Sequence, residues 1–326
     1  MAIEALRNIQ FAQASTIGTH VNSTERVLGT GTLTPTIERV TPMDDRGSLA
    51  DAHRVIDIAQ GCEMTFEGDA VYQQLHHWLL MTLEGGITPA TVDTDGKKWD
   101  FSTVHTAASA QKFYSFEVGD ETQMWDAETM YVRDLELSGV AGEAVRLRAN
   151  LFGHFPAKGT QTTPVNPSTV EEIKMSQCVF GLHTAWDSTT VKSGTLRSFN
   201  LRMPSGLVPV RYAGDSDFSG VIENRRHFEL DVEYAVGTTA IAEYDAWAAA
   251  TTKVARLTFT GVTDGIGTAE RSLLVQIIGK YVGNPRIFET RDGQTIIRFT
   301  LRSIPVGANE FEMNLVNDRA NATATT

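Results

Sequence analysis

One stretch of this chain returns later in the same order: CEMTFEGDAVYQQLHHWLLMTLEGG, from Cys62 to Gly86, and HFELDVEYAVGTTAIAEYDAWAAAT, from His227 to Thr251. Through the strand-like part the two register without a gap. Cys62, Met64 and Phe66 fall opposite Phe228, Leu230 and Val232, each pair 166 positions apart, and Glu63 and Glu67 meet Glu229 and Glu233. Each copy alternates apolar and acidic residues, the period of a half-buried strand, and then runs into an apolar spacing that suits a helix. Self-similarity at a fixed offset implies one supersecondary unit built twice.

The offset is close to half of the 326 residues, and a chain of this length is expected to form two domains. The division expected is residues 1–163 and 164–326. The Pro- and Thr-rich stretch PAKGTQTTPVNPST, Pro156 to Thr169, reads as the linker. Hydrophobic content of 41% supports ordinary cores, and a charged fraction of 21% is too low for a disordered chain. A formal charge of −12 argues against a protein that grips nucleic acid, since that grip needs clustered Lys and Arg.

Cys62 and Cys178 lack metal or redox spacing, so both read as free thiols. The opening MAIEALRNIQFAQAST carries Glu4 and Arg7 inside any would-be apolar core and does not read as a signal peptide. LHHWLLMTL is too short and too polar to cross a membrane. These features place the chain in a cytoplasm.

Before the first repeat, residues 1–51 hold Gly29, Gly31 and Gly47 among Thr and Ser, a composition for extended arms. In the first helix Val71, Leu75 and Trp78 form the apolar stripe, Asp69 is the expected cap, and Gly85 and Gly86 stop it. In the second helix the stripe is Ile241, Tyr244 and Ala248. Strands are expected from Trp99, Tyr114, Tyr131 and Ala144 in the first half. In the second they are expected at LRSFNLRM, LVPVRYAG, ARLTFTGV, SLLVQIIGKYV, TIIRFTLRSI and FEMNLVND. SGVAGE and PSG supply turns, and RANATATT, from Arg319, reads as a frayed end. The fold class expected is mainly β, two similar sandwich or barrel modules, each with one flanking α-helix. The strand before each helix sets Glu63, Thr65 and Glu67, or Glu229, Asp231 and Glu233, on one face. Carboxylates stacked in that way repel, so the face needs water or a positive partner.

Catalytic signatures are missing. His76 and His77 are adjacent, so on a helix they diverge by about 100° and cannot share an ion; one is expected to reach the edge of the packed face. TVDTDGKKWDFS, from Thr91, resembles a calcium loop only until Ser102, which stands where a bidentate Glu is needed, and so reads as an Asp-Gly hairpin tip. TDGIGTAE lacks the third glycine and the helix of a dinucleotide loop and reads as a turn. No nucleophile elbow, phosphate loop or zinc-protease motif occurs. The expectation is no enzyme, no cofactor and no metal, and a structural or assembling protein.

The order of ALRNIQFAQASTIGTHVNST, FEGDAVYQQLHHWLLMTLEGG, WDF, FYSFEVGD, MYVRDLELSG and VRLRANLFGH resembles the tail tube proteins, or major tail proteins, of long-tailed bacteriophages, in the longer form with a duplicated module. The resemblance covers most of the first half. It implies tail-tube β-sandwich or barrel modules in stacked rings around a channel for double-stranded DNA. A duplicated chain would close a pseudo-hexameric ring with three copies, a homohexamer being the alternative. Partners implied are further copies of the chain and the tape measure and tail terminator proteins. DNA would pass without specific binding, and no membrane insertion is implied. The location implied is the virion tail, assembled in the host bacterial cytoplasm. An acidic lumen would let DNA slide where a basic wall would bind it. Glu63, Glu67, Glu229, Asp231 and Glu233 are therefore the candidate lumen residues. The segments from Leu28 to Thr41 and from Gly85 to Lys98, long for simple connections, are the candidates for joining one ring to the next. The rival reading is a virion adhesin or carbohydrate-binding β protein that stacks Trp99, Trp125 and Trp186 on sugars. A hydrolase with two unassigned carboxylates is a further alternative.

Overall fold

Period-two alternation is realised as antiparallel strands. The computed structural model describes residues 7–42, 54–103, 107–120, 122–163, 170–192, 196–262 and 266–319, and is 56% strand and 7% helix. The arm residues before Arg7 and at 43–53, the expected boundary at 163/164 with residues 164–169, and the tail from Ala320 lie outside the described residues.

In the first half the elements are β1 (Asn8–Ala14), β2 (Glu25–Arg26), β3 (Thr30–Val40), β4 (Ile56–Asp69), α1 (Leu75–Thr82), β5 (Ala90–Thr91), β6 (Lys97–Ser102), β7 (Phe113–Gly119), β8 (Met124–Val140), β9 (Arg146–Gly153) and β10 (Ala157–Gly159). A 3-10 turn at Met175–Gln177 then precedes β11 (Cys178–His183), β12 (Leu196–Pro204), β13 (Leu207–Val210), β14 (Gly220–Glu223), β15 (Glu229–Ala235), α2 (Thr238–Ala248), β16 (Lys253–Thr260), β17 (Ser272–Arg291), β18 (Gln294–Ser303) and β19 (Phe311–Asn317).

One antiparallel sheet runs through both halves in the order β3-β4-β9-β8-β12-β15-β18-β17. The long strands β8 and β17 also enter the opposing layer. There β8 lies between β7 and β10, with β1 and β2 beyond β7. β17 lies between β16 and β19, flanked by β11 and by β6 with β5. A large apolar core fills the space between layers and spans both halves. In β4, Cys62, Met64 and Phe66 point into it while Glu63 and Glu67 point out. The Phe66 ring stacks on Trp78 at 4.7 Å, and Phe228 stacks on Phe311 at 4.3 Å.

The expected glycine-rich arm is a strand. Gly29 approaches Phe66 so closely that a Cβ would lie 2.4 Å from its ring, so this glycine serves close packing and not slack. The expected linker also begins as structure: β10 pairs Ala157 with Asp126, and the Thr162 backbone N–H and hydroxyl both donate to Glu117. Arg319, expected to be frayed, is buried, and its carbonyl accepts the Trp99 indole N–H at 3.2 Å.

Both helices differ from expectation. α1 spans eight residues, all buried, because strands of both halves surround it, so it is a core helix and not an amphipathic one. Asp69 ends β4 and caps nothing. His76 and His77 are both buried. His77 lies 2.9 Å from Glu25 and 3.0 Å from the Tyr114 hydroxyl, and His76 stacks on Trp99. In α2 the expected apolar stripe faces outward: Ile241 is 60% exposed and Tyr244 40%. Glu243 points inward instead, accepting from Tyr281 at 2.9 Å and paired with Lys253 at 3.0 Å.

Residues 205–228, which include β13 and β14, fold from the second half back over the first. Leu207 and Phe218 pack with Tyr131 and Phe152. Asp217 accepts the Phe155 N–H at 2.8 Å, and Arg226 donates to the Thr82 and Leu83 carbonyls at the end of α1, at 3.0 and 3.2 Å. Phe218 anchors this strap. Phe218→Ala is expected to lower the unfolding free energy by about 3 kcal/mol, through lost burial and the cavity left behind, as read from the urea midpoint.

Candidate assembly interface

Repeated strands produce repeated registers. β4 pairs with β9 through Glu63 with Phe152, Thr65 with Asn150 and Glu67 with Arg148. β15 pairs with β18 through Glu229 with Arg302, Asp231 with Thr300 and Glu233 with Arg298. Every one of these pairs shifts by 166 positions on the first strand and 150 on the second. On the other side, Thr30, Thr32 and Thr34 face Glu67, Thr65 and Glu63, as Ser198, Asn200 and Arg202 face Glu233, Asp231 and Glu229. β8 carries one irregularity partway along its pairing with β9, and β17 carries two along its pairing with β18, on either side of Arg286. β3, β4, β9 and β8 thus occupy the places of β12, β15, β18 and β17.

The two quartets meet where β8 pairs with β12, from Asp134 opposite Pro204 to Val140 opposite Ser198. The counterparts of these two joined edges lie at the ends of the sheet, β3 matching β12 and β17 matching β8. Among the described residues β3 pairs only with β4, and β17 beyond Gly279 pairs only with β18. Open edges of this length are templates for pairing with another chain.

The outward face of the sheet carries the expected carboxylates, but not as a bare acidic row. Glu67, Arg148, Glu136, Arg202, Glu229 and Arg302 stand directly opposite one another in succession across six strands. Opposite charges on neighbouring strands stabilise such a face, where like charges would oppose pairing. Glu63 is exposed and ion-paired with Arg133 at 3.0 Å; Glu67 is exposed and paired with Arg148 at 3.2 Å. Glu229 lies 3.4 Å from His227, and Asp231 accepts from the Thr300 hydroxyl and lies 3.5 Å from Arg202. Glu233 is 2% exposed, with Arg291 at 2.9 Å and Arg298 at 2.6 Å above it. In the chain as it stands Glu233 does not present a free carboxylate to solvent, which corrects the expectation for that residue. The arginines paired with Glu63, Glu67, Asp231 and Glu233 sit 29 to 81 positions away in sequence, in strands and turns whose register a sequence pattern does not reveal.

The two candidate joining segments are placed by the same sheet. Leu28 donates its N–H to Gln74, and the segment up to Val40 is β3, with Thr41 just beyond it. The other segment does leave its own half, but it lands on the second half of the same chain. The Gly85 N–H donates to the Ser109 carbonyl, and Lys98 stands opposite Val316 in the β6–β19 pairing. Asp93, expected at a hairpin tip, accepts from the Thr268 and Ala269 backbone N–H groups, which fastens that tip to the turn before β17. Trp99 is buried and offers no platform for a sugar, while Trp125 and Trp186 are half-buried.

Three buried carboxylates are coupled to this arrangement. Burial pushes Glu25, Glu117 and Glu233 up, but hydrogen bonds and charges pull each further down, so all three titrate below the ordinary carboxylate value. The opposing partners are His77 for Glu25, Thr162 and Ser23 for Glu117, and Arg298 and Arg291 for Glu233. No protein-family model and no curated protein matches the chain.

A carboxylate whose pKa is lowered by folding stabilises the fold above its unfolded value and loses that contribution as pH falls through the folded value. The thermal midpoint is therefore expected to fall progressively below about pH 4.5, and Glu233→Gln to make that fall shallower, as measured by calorimetry across pH. Arg291→Ala with Arg298→Ala is expected to lower the thermal midpoint at pH 7 and to flatten its fall at acid pH, because the carboxylate loses both charged partners, as the same calorimetry reads.

Proposed function

We propose that this chain is a structural protein whose copies join into rings, and whose rings stack into a hollow tube of the phage-tail type. The observation that carries the reading is the pair of quartets in similar register, joined edge to edge through β8 and β12, with their counterparts β17 and β3 left open at the two ends among the described residues. A head-to-tail joint of this kind generates a closed ring when its rotation closes, and a helix when it does not. If the joint between copies has the same rotation as the joint within the chain, and six quartets complete the circle, three copies close the ring.

The charged face bears on what such a ring could conduct. Its alternating carboxylates and arginines offer no continuous basic track of the kind that holds phosphates by counterion release. With a net charge of −12 per chain, the assembly would pass double-stranded DNA without gripping it. On this reading the chain is a virion tail component assembled in the host cytoplasm, with tape measure and tail terminator proteins as its other partners, and it performs no catalysis.

Purified chain is expected to form hollow particles of constant diameter in negative-stain micrographs, and its smallest closed species should have the mass of three chains by analytical ultracentrifugation. A chain that stays monomeric at all concentrations would reject the proposal. A smallest ring of six chains would retain the tube and reject the count.

A further inference from the structure

We propose that the second half binds a small free oxyanion, of the phosphate or sulfate kind, in the cavity between β11, β16 and the loop that follows β11. Such a site does not depend on assembly.

Along these two strands the core-facing Phe180, Leu182 and Leu257 alternate with Gly181, His183 and Arg256 on the other face. There a cavity of about 210 Å³ is lined by His183, Arg256, Thr189, Thr190 and Thr258, and among the described residues no carboxylate lines it. His183 is 8% exposed, and its Nε2 is buried without a hydrogen-bond partner among the described residues. Gly181 makes room for the ring, since a Cβ there would lie 2.4 Å from Nε2. Nor does the Arg256 side chain make a hydrogen bond or an ion pair among the described residues. Its cross-strand neighbour Gln276 is fully buried, with both amide atoms unpartnered among the same residues. Buried polar groups left unpaired are costly, and a cluster of them beside a guanidinium calls for an acceptor. Burial and the charges of Arg256, Lys192 and Lys253 hold the His183 imidazole below its ordinary pKa, and an anion among them would reverse that.

The first half shows what occupies the corresponding place. β1 pairs with β7 through Gln10 with Glu117, Phe11 with Phe116 and Ala12 with Ser115. β11 pairs with β16 through Val179 with Thr258, Phe180 with Leu257 and Gly181 with Arg256. The loops after β1 and β11 return alike: the Phe11 carbonyl accepts the Thr24 N–H at 3.1 Å, and the Phe180 carbonyl accepts the Lys192 N–H at 2.7 Å. Thr258 therefore holds the place of Glu117, and Arg256 that of Ser115. In the first half the chain supplies its own anion. Glu117 is fully buried, accepts the Ser23 and Thr162 N–H groups at 3.1 and 3.0 Å, and lies 3.6 Å from His20. The second half sets a histidine, an arginine and three hydroxyls around the same position without a carboxylate. Charge-assisted hydrogen bonds from those groups suit an oxyanion.

The test is calorimetric titration of the full-length chain with inorganic phosphate in chloride buffer. One ion is expected to bind per chain, and Arg256→Gln to weaken binding by at least about tenfold. Sulfate keeps its charge across the histidine range. It should bind more tightly as pH falls from about 7.5 to about 5.5, a dependence that His183→Gln removes. Thr258→Glu, which installs on β16 the carboxylate that β7 carries as Glu117, should abolish phosphate binding while the chain stays folded. No heat with phosphate up to about 10 mM overturns the site. Binding that survives both Arg256→Gln and Thr258→Glu overturns it too. A duplex oligonucleotide that binds in an Arg256-dependent way where free phosphate does not would make a phosphodiester the ligand and overturn the free oxyanion.

Discussion

Backbone pairing of β8 with β12 is the interaction on which the rest of the structure depends. It turns two quartets of strands into one eight-stranded sheet, and the opposing layer then closes over a core shared by both halves. The strap of residues 205–228 and the β6–β19 pairing reinforce the same union from either side, so each half supplies elements that the other needs. The expected pair of separate domains is in this respect a single packed body. What repeats is the strand register, while the connections around it have diverged to hold the halves together.

The sheet's outer face illustrates how a strand pattern is completed by its neighbours. Acidic residues spaced two apart would repel along one strand, yet here each meets an arginine, a histidine or a hydroxyl from an adjacent strand or turn. Exposed pairs of this kind contribute little stability individually. Their collective effect is to set register, since a one-residue slip would turn charged side chains toward the core. Glu233 is the exception in depth: it is covered by two arginines, so its partners offset a desolvation cost that the exposed members of the row do not bear.

Much of the strand content was readable because alternation is local. Met64 and Phe66, or Leu230 and Val232, declare their buried face within five residues. The helices were readable as helices but not in their orientation. α1 and the residue that precedes it carry polar side chains, Gln74, His76 and His77, that look solvent-facing, and only the approach of Glu25, Tyr114 and Trp99 from distant strands makes them core residues. The stripe of Ile241 and Tyr244 in α2 looks like a core face, and it is Lys253 and Tyr281 that draw Glu243 inward and turn the stripe out.

By itself the sequence determined that this chain is mainly β, that a strand-and-helix unit occurs twice at a spacing of 166, and where each strand turns its apolar side. The tertiary structure decided which edges are joined and which are left open, which carboxylates are neutralised, and which helix is enclosed. The physical reason is range: periodicity and turn chemistry act within a few residues, whereas the joint between the halves and the cover over Glu233 are fixed by contacts between distant segments, Glu136 with Arg202 and Glu233 with Arg298.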